Sequence, residues 1–302
     1  MKTIKQRISY AVMGLMAMGF TACTQNEDMA PTLKGQEINA TFSVGGMQTR
    51  VNTLGHGNNW ENEDKLKVSI FTDYDPGSTA VLSFNSATNE WSRTGSFRWL
   101  TDYEQHTILA VYPSDKDFGK NDLQYDLQTD QSSEDNLKNA DLITGYWHDV
   151  PQYDLSIPMK HRMSLVTIVY HVGTADYPNM DISEPQVYSK HTSVYFNRDD
   201  RGQGQFVMIT PTANPAWVQA CKHDDGMFSA IVIPGSYIKD EVFLKFKIGD
   251  NNFNAKMKMP TDFEEGKRYT YKLDVGKDKV ELTRISVDDL KGWDSNNEEE
   301  LK

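Results

Sequence analysis

Residues 37–44 read Glu-Ile-Asn-Ala-Thr-Phe-Ser-Val, and polar and apolar side chains alternate strictly along them. Successive side chains of a β-strand point to opposite faces, so the apolar residues of this stretch would lie on one face and the polar residues on the other. The apolar set is Ile38, Ala40, Phe42 and Val44. Gly45-Gly46 then ends the pattern. The period of two predicts a half-buried strand rather than a helix, whose apolar face repeats every three or four residues.

The same alternation recurs in short segments along most of the chain. The further predicted strands are residues 66–72, 80–84, 107–112, 165–172, 192–196, 228–233, 242–248, 253–259, 269–275 and 280–287. Turn-forming runs separate consecutive strands at residues 75–77, 249–252 and 276–278. The best helical candidate, residues 134–141, is only a turn or two long. The sequence therefore predicts an all-β protein.

So many strands exceed what one open sheet holds before it curls or splits, so we expect two β-sandwiches in tandem. The predicted N-terminal sandwich is residues 37–152 and the C-terminal one residues 153–302, with the boundary placed where Pro151 and Pro158 interrupt the apolar pattern. The expected C-terminal core includes Leu165, Ile168, Val232, Phe243, Phe246, Tyr271 and Val275.

The N-terminus has the pattern of a signal peptide at residues 1–22. A basic start with Lys2, Lys5 and Arg7 precedes an apolar run at residues 10–20 and small residues before Cys23. That run is about half the roughly 20 residues that a spanning helix needs. The pattern resembles a bacterial lipobox, in which the cysteine thiol is acylated; the alternative is a chance cysteine beside an ordinary cleavage site. The polar residues 23–36 would then be an acylated tether to a membrane.

The remaining cysteine, Cys221, has no partner for a disulfide if Cys23 carries lipid. We therefore expect Cys221 to be a small buried apolar residue.

Charge and motif content exclude several classes of function. The formal net charge is -12, and removing the acid-free signal peptide with its three basic residues takes it to -15, so phosphate backbones would be repelled and nucleic acid is not an expected partner. Common catalytic signatures are missing, and the seven histidines are scattered. Acidic pairs such as Asp73/Asp75, Asp199-Asp200 and Asp224-Asp225 lack the spacing of a calcium loop. We expect no enzyme activity, catalytic residue, metal site or cofactor.

Six stretches in this order resemble the fimbrillin family of Bacteroidales, in its Mfa-like branch of type V pilus subunits and related lipoproteins. They are Thr49-Arg50-Val51, the strand entry at residues 60–68, and residues 158–166, 231–234, 263–271 and 285–293. The resemblance implies two transthyretin-like β-sandwiches and a surface lipoprotein of the outer membrane that becomes part of a fimbrium. It also implies cleavage behind Arg50, before Val51, and assembly by donor-strand exchange with other pilus subunits, residues 37–50 being the candidate removable strand.

The role within a pilus is left open between a structural and a tip or adhesive subunit, with a host protein or glycan as a possible ligand. Only a polar, acidic run follows Trp293, so no long apolar C-terminal donor is expected, and this favours a tip or accessory role. The alternative function is a surface glycan-binding lipoprotein. Its candidate stacking residues are Trp60, Trp91, Trp99, Trp147 and Trp217.

Overall fold

Strands make up nearly all regular structure in the computed structural model, which describes residues 32–44, 60–116, 122–172, 181–198, 206–212, 214–223, 226–276 and 279–289. The first strands are β1 (Asn39–Val44), β2 (Lys65–Phe71), β3 (Ser78–Asn85), β4 (Glu90–Gly95), β5 (His106–Tyr112), β6 (Asp122–Asp126), β7 (Ile143–Asp149) and β8 (Asp154–His161). A short helix, α1 (Glu134–Asn139), lies between β6 and β7.

The later strands are β9 (Ser164–Val172), β10 (Ile182–Ser189), β11 (Ser193–Arg198), β12 (Phe206–Thr212), β13 (Ala216–Gln219), β14 (Cys221–His223), β15 (Met227–Val232), β16 (Gly235–Tyr237), β17 (Val242–Ile248), β18 (Asn251–Lys256), β19 (Thr261–Phe263), β20 (Lys267–Val275) and β21 (Val280–Asp289). The predicted all-β class is confirmed. The part of the chain that the structure describes holds no helix long and apolar enough to cross a membrane.

The N-terminal strands form one seven-stranded sheet in the order β1-β8-β7-β5-β2-β3-β4. All its neighbours are antiparallel except β1 and β8, which run parallel. Strands β2 and β3 form a hairpin within the sheet. The predicted turn at residues 75–77 lies in the loop that joins them. The edge strand β1, in contrast, is paired with a strand more than a hundred residues later in the chain.

The remaining strands form four smaller sheets. A five-stranded sheet has the order β14-β15-β9-β20-β21, and a four-stranded sheet has the order β13-β10-β17-β18. A three-stranded sheet, β12-β11-β6, and the pair β16-β19 complete the set. Sandwich-like packing is consistent with this arrangement, and the transthyretin-like topology implied by the resemblance stays a prediction.

Two apolar cores lie on either side of β5. One is built by the seven-stranded sheet, with Phe42, Val68 and Ile108 among its members, and the other contains Leu109 together with residues of the later sheets. All seven residues of β5 are buried, so its two faces serve the two cores. Every core residue predicted for the C-terminal half lies in the second core, and Cys221 is buried there as expected.

The predicted boundary between residues 152 and 153 does not separate two sheets. Strand β8 follows that boundary, yet it lies inside the seven-stranded sheet between β1 and β7. Strand β6, which precedes the boundary, pairs with β11 beyond it. Pro158, which lacks an N–H, is tolerated in β8 because the pairing of β8 with β7 runs only from Met159 to His161. The described residues from Leu33 onwards belong to one compact unit.

Candidate functional site

The edge strand β1 and the surface that it covers form the candidate site. Within the described residues β1 pairs only with β8, in parallel register from Asn39 opposite Asp154 to Val44 opposite Met159. The predicted alternation of residues 37–44 is confirmed, since Ile38, Phe42 and Val44 are buried and Ala40 is half-buried. The strand therefore supplies one row of side chains to the first core and has one edge without a neighbouring strand in the described structure.

Phe42 fills an aromatic pocket and is only 1% exposed. Its ring meets the edge of Trp91, with centroids 5.7 Å apart. Trp60 packs on Trp91 at 5.4 Å and on Tyr112 at 5.7 Å, and its indole N–H donates a 2.9 Å hydrogen bond to the carbonyl oxygen of Phe42. Burial and nearby carboxylates raise the pKa of the Tyr112 hydroxyl, so this phenol stays neutral. Removing β1, and Phe42 with it, would open an apolar groove lined by Trp60, Trp91 and Tyr112.

The residues that lead into β1 are held by backbone hydrogen bonds. Asp102 Oδ1 accepts from the N–H groups of Leu33 and Lys34 at 2.6 and 2.7 Å. The N–H of Gly35 donates to the carbonyl of Trp99 at 2.8 Å. We call residues 33–44 the first segment. Residues 33–35 of this segment are held by the loop before β5, and residues 39–44 are paired with β8.

Glu37 adds two ion pairs to this attachment. Its carboxylate contacts Arg93 and lies 2.6 Å from the guanidinium of Arg98. A hydrogen bond and charge from Arg93, assisted by Arg98, hold the pKa of Glu37 below its usual value. Arg98 also donates to the Gly35 carbonyl at 2.9 Å. Because Glu37 and Arg98 are exposed, these ion pairs align the first segment more than they stabilise it.

Several predicted site residues lie outside the described residues. These are the lipidation site Cys23 and the cleavage site Arg50 and Val51. The acidic pairs Asp199-Asp200 and Asp224-Asp225, which lack the spacing of a calcium loop, also lie outside them. Among the described residues there is no group of three or more metal-ligating side chains.

The predicted tryptophans do not form one exposed surface. Trp60 and Trp99 are buried in the first core, and Trp91, Trp147 and Trp217 are half-buried. A buried ring cannot stack on a sugar at the surface. Trp60 and Trp99 are therefore excluded as sugar-stacking residues in this structure.

One of the described histidines has a buried carboxylate partner. His161 Nδ1 lies 2.5 Å from Asp141 Oδ2 in the buried interior. His161 ends β8, and His171 lies in β9.

Sequence reasoning missed the anchor Asp102 and the hydrogen bond from Trp60 to β1. Asp102 is 69 residues from Leu33, and Trp60 is 18 residues from Phe42. No local pattern links such positions, since only the folded chain brings them together.

Comparison with known proteins places the chain in a family. The sequence model of the fimbrillin-like family matches residues 49–289. No curated protein matches the chain in sequence.

Two crystal structures show the same fold. A candidate cell adhesion protein from Bacteroides ovatus ATCC 8483 is 14% identical, with a TM-score of 0.62 over 84% of this chain and 97% of that one. A candidate cell adhesion protein from Bacteroides uniformis ATCC 8492 is 17% identical, with a TM-score of 0.56 over 77% of this chain and 93% of that one. Since the family match covers most of the residues, the chain belongs to the fimbrillin-like family.

Proposed function

We propose that this chain is a non-enzymatic subunit of a surface pilus that assembles by donor-strand exchange. The observation that carries the proposal is the placement of β1, an edge strand that completes the first core and pairs with a single neighbour in the described structure. Membership of the fimbrillin-like family supports the pilus role.

The precursor is exported by residues 1–22 and acylated on Cys23, which anchors it at the outer membrane with residues 23–36 as a tether. In this state the first segment occupies its own groove. The short connection to the rest of the chain gives it a high effective concentration, so it competes well against any strand from another subunit.

Cleavage between Arg50 and Val51 removes that advantage. The cut segment can then be displaced, and its displacement uncovers the edge of β8 and the pocket of Phe42. Unpaired backbone groups beside an apolar groove are a template for an added strand. A strand of another pilus subunit fills the groove and links the two molecules.

The attachment of the first segment makes exchange slow without a competitor. Its buried side chains, Ile38, Phe42 and Val44, must leave the core, and the hydrogen bonds to Asp102 and β8 must break. We therefore expect the cut segment to stay bound until an incoming strand replaces it.

The test combines cleavage with sizing. Purified precursor treated briefly with a trypsin-like protease should yield a new N-terminus at Val51 and form oligomers on size-exclusion chromatography. Arg50→Ala should prevent both, whereas Lys65→Ala, at an exposed basic residue of β2, should behave like the parent chain. Oligomers that form equally well with Arg50→Ala would remove this cleavage from the mechanism.

The same chain isolated from intact cells tests the anchor. Mass spectrometry of the N-terminal peptide should find acylated Cys23 in the precursor and free Val51 in assembled material. A precursor that begins at an unmodified residue would contradict the lipoprotein assignment.

A further inference from the structure

Three exposed tyrosines lie on neighbouring loops at one end of the seven-stranded sheet. Tyr74 is 88% exposed, Tyr103 78% and Tyr153 56%. Strand register places their loops side by side, because Phe71 at the end of β2 is opposite Thr107 and His106 at the start of β5 is opposite Asp149. We call these loops, residues 72–77, 100–105 and 149–154, the tyrosine rim.

The tyrosine rim is strongly acidic. Its sequence contains six carboxylates and neither lysine nor arginine. The carboxylates are Asp73, Asp75, Asp102, Glu104, Asp149 and Asp154. Some already serve the fold, since Asp75 Oδ1 accepts from the N–H of Gly77 and Asp102 holds the first segment. Asp73 and Asp154 are exposed. Exposed rings surrounded by negative charge suit a partner surface that is both apolar and cationic.

The same chain carries such a surface elsewhere. An open groove of 610 Å³ lies between the end of β18 and the start of β21, with Lys239, Lys256, Lys258 and Lys279 along it. All four lysines are exposed. We call this feature the lysine groove.

Two exposed apolar residues flank the lysine groove. Ile238, next to Lys239, is 64% exposed, and Met259, next to Lys258, is 49% exposed. The acids of the groove are Asp240 and Glu281, and Glu281 pairs with Lys258 and Lys279. The four lysines still exceed the two acids in a chain whose net charge is -12.

We propose that the tyrosine rim of one copy docks onto the lysine groove of the next copy. The two surfaces are complementary in charge, and each presents exposed apolar side chains at its centre or margin. They are different surfaces of one chain, so the contact is heterologous, and a heterologous contact that does not close into a ring produces a filament.

The rim lies where β8 begins. The groove lies beside the end of β20, which runs parallel to β9 and ends opposite Val172. This inference builds on the proposed pilus role by assigning a second contact between subunits, next to the donor-strand groove.

The test uses charge reversal in the uncut chain. The rim variant carries Asp73→Lys and Asp154→Lys, and the groove variant carries Lys239→Glu and Lys256→Glu. Asp154 lies opposite Asn39 of the first segment through its backbone, and only its exposed side chain is changed. Sedimentation velocity at low and high salt should show weak self-association of the parent chain that salt suppresses. Each variant alone should associate about tenfold more weakly.

Mixing the two variants is the decisive measurement. A lysine rim then meets a glutamate groove, while the acidic rim of the groove variant meets the lysine groove of the rim variant, so association should return. Lys65→Glu and Glu90→Lys lie at the opposite end of the sheet and serve as matched controls that should leave association unchanged.

Three results would overturn the contact. The parent chain could fail to self-associate at low salt, the mixture could stay monomeric, or the rim variant could lose association while the groove variant retains it, which would assign the rim to a different surface of the same chain. Because uncut protein is used, the result does not depend on cleavage behind Arg50. If uncut chains give one of these three results while cut chains still polymerise, this contact is refuted and donor-strand assembly stands.

Discussion

His106 holds together the loop that anchors the first segment. Its imidazole is fully buried, and Nε2 accepts hydrogen bonds from the N–H groups of Leu100 and Thr101 at 3.1 and 3.3 Å. Nδ1 lies 2.8 Å from the carbonyl oxygen of Glu104 and therefore carries the proton. Protonation of Nε2 would place its new N–H against the backbone N–H groups of Leu100 and Thr101, and both hydrogen bonds would be lost. This loop also contains Asp102, so the state of one histidine affects the attachment of the first segment.

Stability should fall in mild acid because of His106. Burial lowers the pKa of His106 below 6.5, so at lower pH the unfolded chain binds a proton that the folded chain resists. The contribution is complete above about pH 6.5 and is lost progressively as the pH falls towards the folded-state pKa. Urea unfolding midpoints should decrease from pH 7.5 to 5.5, and His106→Gln should flatten that dependence.

The exposed His171 supplies the control, since His171→Gln should keep the parent pH dependence. Should His106→Gln retain the full decrease between pH 7.5 and 5.5, another group would be responsible.

Among the elements, the β2–β3 hairpin depends on one glycine. Gly77 has φ of 72°, and a Cβ there would lie 1.6 Å from the carbonyl oxygen of Ile70. Gly35 has a similar φ of 77° with no atom within 4 Å of the added Cβ. An alanine at Gly35 would cause backbone strain alone, whereas an alanine at Gly77 would cause both backbone strain and a steric collision.

Both substitutions to alanine should destabilise the chain, by different amounts. Gly35→Ala should reduce the free energy of unfolding by about 1–2 kcal/mol, the strain of a left-handed backbone with a side chain. Gly77→Ala should reduce it further, because the backbone of β2 must also shift. Denaturant titration of the two variants measures the difference, and equal losses would show that the collision is relieved without cost.

Prediction from sequence succeeded for elements with uninterrupted local alternation. Strands β2, β5, β9 and β17 were predicted within one or two residues, because each buries one face or both along its length. Strand β8 was missed although its side chains alternate between exposed and buried. Pro158 suggested a boundary there, and only the register with β7 shows that its missing N–H is tolerated.

For the whole molecule, β5 couples the two cores. Ile108 belongs to the first core and Leu109 to the second, although they are neighbours in the chain. A strand cannot lose one face of its packing while the other stays intact, so the cores should unfold together.

We therefore expect one cooperative transition for the described compact part. Ile108→Ala and Leu109→Ala should each reduce the free energy of unfolding by about 2–5 kcal/mol and shift the same transition. Tryptophan fluorescence and far-ultraviolet circular dichroism should give coincident curves, and Thr94→Ala, on the exposed edge strand β4, should have little effect. Two separated transitions would show that the halves fold independently.

The amino-acid sequence by itself determined the all-β class, the alternating face of β1, the buried C-terminal core residues and the family resemblance. These features depend on side-chain order over a few residues, which sets which face of a strand avoids water. Tertiary structure alone decided that β1 pairs in parallel with β8 and that the Trp60 indole donates a hydrogen bond to the carbonyl oxygen of Phe42. It also decided that three exposed tyrosines lie at one end of a sheet. Those arrangements arise from packing between residues far apart in the chain, which local alternation does not encode.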